Sequence, residues 1–180
     1  MEENKNSLKK ELISWIMIFV VAIVAAYVIN SYLIVNATIP SGSMIDTIDV
    51  GDRVIGNRFA YVTEDPERGD IVIFKFPDDE SKYYIKRIIG LPGETIRITK
   101  GKIYIDDKEF NDKYATDAVW GQDEEDMVFT VPNNCYFMLG DNRDNSADSR
   151  YWVNPYVKKS KILGKAVFRY WPFTKLGTLD

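Results

Sequence analysis

LISWIMIFVVAIVAAYVINSYLIV, residues Leu12–Val35, divides the chain in two, because it holds no charge and only Ser14, Asn30 and Ser31 as clearly polar side chains. Wound as an α-helix at 1.5 Å per residue it is roughly 36 Å long, enough to cross a hydrocarbon core of about 30 Å with some tilt. Trp15 and Tyr32 lie near its two ends, where amphipathic rings anchor at headgroup level. A cleaved secretory leader has an apolar region of about 7 to 15 residues and then a small-residue cleavage site. Here the apolar character continues to Val35 with no such site, which favours a retained signal anchor over a removed peptide or a buried soluble helix.

Orientation follows from the flanking cations. Lys5, Lys9 and Lys10 precede the span, and the first basic residue after it is Arg53. Residues 1–11 are therefore expected in the cytoplasm, 12–35 as the transmembrane signal-anchor helix, and 36–180 as an extracytoplasmic domain.

From Arg53 onward short β-branched and aromatic runs alternate with Gly, Pro, Asp and Asn, a texture that reads as strands and turns. Strands are expected at 53–59, 70–76, 83–89, 95–99, 102–105, 127–131, 136–139 and 164–170. Leu91-Pro92-Gly93-Glu94 suits a type II turn, with Pro presetting the first central φ and Gly accepting the positive second one. Residues 106–126 hold nine acidic residues against two lysines and read as a solvated excursion. The expected fold class is mainly β: an N-terminal transmembrane helix followed by a small barrel-like β catalytic domain.

Composition narrows the chemistry. At 46% hydrophobic and 28% charged residues the chain can bury a core. A net charge of −4 gives no broad attraction toward nucleic acid. There is no histidine, so any proton transfer must use another base, and His-ligated metals are excluded. The single cysteine, Cys135, can form neither an intramolecular disulfide nor a thiolate zinc site, and reads as a small buried residue.

Ile39-Pro40-Ser41-Gly42-Ser43-Met44 follows the span, so a serine here would work at the membrane surface, although Ser-Gly-Ser after Pro is also an ordinary turn. Without histidine a nucleophilic serine needs a lysine whose pKa is brought down by burial. Lys86 is the candidate: on strand 83–89 it shares a face with Tyr84 and Ile88, which can desolvate it, while Arg87 points to the other face. The alternative is a lysine snorkelling at a strand edge. Gly140-Asp141-Asn142-Arg143-Asp144-Asn145-Ser146-Ala147-Asp148-Ser149-Arg150 follows an apolar strand and lacks the Gly and terminal Glu of a calcium loop.

Taken in order, the span, Ile39 to Met44, Gly51-Asp52, Arg68-Gly69-Asp70-Ile71-Val72, Tyr84 to Gly93 and Gly140 to Arg150 closely resemble bacterial type I signal peptidases, in the short, single-span form typical of Gram-positive bacteria. The resemblance implies a membrane-anchored serine endopeptidase that removes signal peptides from exported preproteins, cleaving after small residues in Ala-x-Ala sites. It implies Ser43 as nucleophile and Lys86 as general base. The oxyanion donors it implies are the Ser43 N–H and the Ser41 hydroxyl. Ser146 would orient the lysine amine, and Asp148 and Arg150 would form a structural ion pair. Ile39, Pro40, Met44, Tyr84 and Ile85 would line the substrate pockets. Neither metal nor organic cofactor is implied. The expected partners are preproteins, the lipid bilayer of the cell membrane and the neighbourhood of the secretion translocon.

The chain departs from the family pattern at Asp46, where Pro is usual, and at Val153, where Gly is usual. The stretch between Lys86 and Gly140 is short, so the second subdomain of larger relatives is expected to shrink to a loop. Two rivals remain. A self-cleaving Ser-Lys repressor would be cytosolic, which the span opposes, and a noncatalytic tethered paralogue would be marked by loss of Ser43 or Lys86.

Overall fold

The computed structural model describes residues 2–116, 120–121 and 125–179, with side chains from Lys10 onward. Asp117, Asp123 and Glu124 of the acidic stretch, and the Lys5 and Lys9 side chains, lie outside it. The chain forms two units, residues 1–34 and 35–180.

The first unit is one helix. α1 runs Glu2–Val28 and continues as a π-helical turn over Ile29–Leu33, until Ile34 turns extended at φ −121° and ψ 154°. Within it Lys10–Leu33 is long and apolar enough to cross a membrane. The helical segment thus ends two residues before the expected Val35, because Ile34 and Val35 open a strand. An element apolar on every face has no side to give to water.

The second unit is mainly β, as the sequence indicates. Its strands are β1 (Ile34–Thr38), β2 (Arg53–Asn57), β3 (Ile71–Phe76), β4 (Asp79–Gly90), β5 (Thr95–Thr99), β6 (Lys102–Ile105), β7 (Lys108–Glu109), β8 (Met127–Thr130), β9 (Cys135–Leu139), β10 (Tyr156–Lys158), β11 (Ile162–Trp171) and β12 (Gly177–Thr178). The larger sheet has the order β1-β2-β11-β3-β4-β9-β10, with β12 on β11. β4 is central and antiparallel to both neighbours, pairing Lys86 with Val72 of β3 and Arg87 with Leu139 of β9. Because side chains alternate along a strand, Lys86 and Arg87 face opposite sides. Both sides of the sheet are covered there, so both residues are buried.

The stretch between Lys86 and Gly140 is not reduced to a loop. It holds a second sheet, β7-β6-β5-β8, entered through Leu91–Glu94, where Gly93 takes φ 87° and Glu94 N donates to Leu91 O at 3.2 Å. Alternation of Ile96 and Ile98 on β5 with Ile103 on β6 gives that sheet an apolar face, which packs with Ile89, Val131, Phe137 and Leu139. Nor is 106–126 wholly solvated, since Trp120 is buried in this cluster and Phe110, Tyr114 and Ala115 pack against it. The acidic residues hid four apolar ones that cover the sheet. Cys135 is buried, and burial pushes its thiol pKa up.

Candidate active site

Between β1 and β2 the chain makes a compact turn. Ile39 N donates to Asp52 O at 2.9 Å and Gly51 N returns a bond to Ile39 O at 2.8 Å, closing its base. Ile39, Met44 and Ile48 point into the core beside Val35 and Val54. Their burial fixes the turn and places Ser43 at its inner corner, 5% exposed.

Lys86, 4% exposed, reaches Ser43 from β4. Its ammonium donates to Ser43 Oγ in a short contact; with the amine neutral, the hydroxyl can donate to Nζ along the same line. Tyr84, on the same face of β4, lies with its ring centre 5.9 Å from Nζ. Phe76 stacks on Tyr84 at 4.4 Å, and Trp152 meets both edge-on. Burial lowers the Lys86 pKa from 10.5 to about 8, against the opposing pull of the Asp148 and Asp141 carboxylates and with a smaller push from Arg150. Near neutral pH a useful fraction of the amine is therefore unprotonated, as a general base requires.

Ser41 Oγ lies 3.5 Å from Ser43 Oγ. The Ser43 N–H makes no hydrogen bond among the described residues.

The run after β9 supports this turn from the other side. Asn142 donates from Nδ2 to Gly42 O at 2.9 Å and from its backbone to Ser43 O at 3.2 Å. Asp141 accepts from Thr47 Oγ1 at 2.7 Å and from Arg87 Nε and Nη2 at 2.9 and 2.7 Å. Asp148 and Arg150 form a fully buried bidentate pair at 2.9 and 3.0 Å, and Asp148 also accepts the Gly140 N–H at 3.1 Å. A Cβ at Gly140 would stand 2.4 Å from Ser43 O and 2.3 Å from Ser146 Oγ, so only glycine admits this approach.

The structure does not gather every residue named from the sequence. Ser146 Oγ is buried but has no hydrogen-bond partner among the described residues, Lys86 Nζ included. Ile39 and Met44 are buried in the core at 2% and 0% exposure, no more accessible than Ser43 and Lys86 themselves. Pro40 is exposed, and Tyr84 and Ile85 are half-buried. Asp46, standing where Pro is usual, has φ 73°, which a proline ring cannot adopt.

Sequence reasoning missed Thr47, Arg87, Gly140, Asp141 and Asn142. One signal was available. Two adjacent cations in an otherwise apolar central strand cannot both reach water, so Arg87 needed a buried carboxylate, and the Asp-rich run after β9 was the place to seek it.

A cavity of about 580 Å³ opens on the Arg87 side, lined by Asp46, Thr47, Lys113, Tyr114 and Thr116 among others, but not by Ser43 or Lys86.

Residues 12–171 match the family described as signal peptidase, peptidase S26. The chain is 39% identical over 167 residues to the probable signal peptidase I-2 of Synechocystis sp., covering 89% of this chain and 73% of that one. It is 36% identical over 200 residues to signal peptidase I of Pseudomonas aeruginosa, with coverages of 84% and 70%. With signal peptidase I P of Bacillus subtilis subsp. natto it shares 30% identity over 183 residues, 98% of each chain.

Proposed function

The chain belongs to the signal peptidase, peptidase S26 family, and on that footing we propose that Ser43 and Lys86 are the dyad with which it removes signal peptides from exported preproteins. One observation carries the assignment: a serine and a lysine, both nearly inaccessible, share a hydrogen bond where burial has lowered the amine pKa to about 8. In a chain without histidine this pairing answers the need for a base.

Neutral Lys86 Nζ takes the Ser43 proton while Oγ attacks the scissile carbonyl carbon. The developing oxyanion is held by the Ser43 N–H and the Ser41 hydroxyl. Lys86 then gives its proton to the leaving nitrogen, the C–N bond breaks, and an ester to Ser43 remains. Water attacks that ester, Nζ takes its proton, and Ser43 leaves with a proton returned from Lys86, releasing a carboxylate. No step calls on a metal or organic cofactor. Pro40, Tyr84 and Ile85 offer shallow, mainly apolar walls that suit small side chains, consistent with cleavage after Ala-x-Ala.

Lys10–Leu33 anchors the enzyme in the cell membrane with its N-terminus cytoplasmic, placing the β unit outside, where preproteins emerge near the translocon.

The test is cleavage of a purified preprotein with an Ala-x-Ala site by the full chain in liposomes, with the new N-terminus read by mass spectrometry. The wild type is expected to cut after the second alanine, and Ser43→Ala and Lys86→Ala to be inactive. Ser41→Ala, lacking one oxyanion donor, should turn over about 100- to 1000-fold more slowly. Folded wild type that cuts no preprotein, or folded Ser43→Ala that cuts as fast as wild type, contradicts the assignment.

A further inference from the structure

The described part of residues 106–126 does more than cover the second sheet. Asp112 forms an ion pair with Arg143, with Nη2 to Oδ1 at 3.1 Å, and Arg143 Nε donates to Gly140 O at 2.9 Å. Thr116 donates to Asp141 O twice, from its N–H at 3.0 Å and its hydroxyl at 3.3 Å. Trp120, 5% exposed, has the guanidinium carbons of Arg143 and Arg150 each 5.3 Å from its ring centre. The carbonyls of Gly140 and Asp141 are thus both held by groups tied to this segment.

The same dipeptide touches the nucleophile turn. Gly140 Cα packs against Ser43 O, and the Asp141 carboxylate takes the Thr47 hydroxyl. A shift of Gly140-Asp141 would therefore move the Ser43 turn. Trp120 resists such a shift in two ways: its faces attract the two guanidiniums, and its bulk keeps water from pairs that stay rigid only while dry.

We propose that Asp112, Thr116 and Trp120 are positioning residues that clamp Gly140-Asp141 against the nucleophile turn and so set the distance between Ser43 and Lys86. This rests on the dyad assignment above. None of the three touches the reacting atoms, so the effect belongs in turnover rather than substrate affinity.

The experiment measures kcat and KM of the full chain on the preprotein cut by wild type, beside unfolding temperatures, for Asp112→Asn, Trp120→Ala and Trp120→Phe. Trp120→Ala and Asp112→Asn are each expected to lower kcat about tenfold or more, since an error near 1 Å in an attack geometry costs about 100-fold. KM should stay within about twofold of wild type, the binding walls being untouched. Trp120→Phe, which keeps a ring against the guanidiniums, should recover most of the kcat. Should Trp120→Ala fail to fold, Asp112→Asn decides. Wild-type kcat in folded Asp112→Asn and Trp120→Ala, a loss confined to KM, or no recovery in Trp120→Phe overturns the clamp while leaving the dyad in place. Failure of wild type to cleave overturns the dyad reading and the clamp with it.

Discussion

Lys86 is held against its preference for water, and the cost is readable as stability. Its pKa is about 8 in the folded chain and 10.5 for an ordinary lysine, the unfolded reference. Below pH 8 the amine is charged in both states, and folding bears the full cost of burying that charge. Between pH 8 and 10.5 the unfolded chain still binds a proton that the folded chain has lost, so this group makes stability rise with pH across that window, by about 3 kcal/mol. Lys86→Met has no such titration. It should be inactive yet more stable than wild type near pH 7, and that advantage should shrink by about 3 kcal/mol when denaturant unfolding in detergent is repeated at pH 10.5. An advantage that stays constant with pH would mean that Lys86 is not charged at the cost the structure implies. The same residue shows what a sequence can disclose. Its place between Tyr84 and Ile88 left two readings, a desolvated amine or one snorkelling at a strand edge, and the structure buries it.

At the scale of elements, strands with regular alternation were legible and edges were not. β5 and β6 have the expected bounds, and β3, β8, β9 and β11 lie within two residues of theirs, because each turns at least one face toward the interior and its composition shows it. β4 begins four residues earlier than expected, at Asp79, in a polar run that continues the pairing with β3. β1, β7, β10 and β12 were missed. They have two to five residues each, too few for an alternating pattern to show, and β1 and β10 pair with strands well removed in sequence. The acidic 106–126 stretch misled for a related reason: Asp112 is partnered by a buried arginine 31 residues away, and nothing local announces that. Of the support around Ser43, the Gly140 to Arg150 run was visible as a motif, but its bonds to Gly42, Ser43 and Thr47 depend on the packing of β4 against β9 and were invisible.

At the scale of the whole molecule, the proposed membrane span places residues 1–11 and the β unit on opposite sides of the bilayer. Cys135, the one cysteine, is buried with its thiol pKa raised, so it is a poor target for thiol reagents. New cysteines can then report on sidedness. Glu11 and Val153 are both exposed, Val153 at 87%. In intact cells a membrane-impermeant maleimide should label Val153→Cys, and it should label Glu11→Cys only after the membrane is permeabilised. The reverse pattern would invert the orientation and remove the β unit from its substrates.

The claim on which everything else rests is that a neutral lysine is the base, and the pH dependence of kcat/KM addresses it most directly. Only unprotonated Lys86 can take the Ser43 proton, so activity must rise with pH as the amine loses its own. Measured on the free enzyme between pH 5 and 10, the profile should climb with a midpoint near pH 8 and owe nothing to histidine, of which the chain has none. A flat profile, or a rise complete by pH 5 as a carboxylate base would give, contradicts the assignment of Lys86.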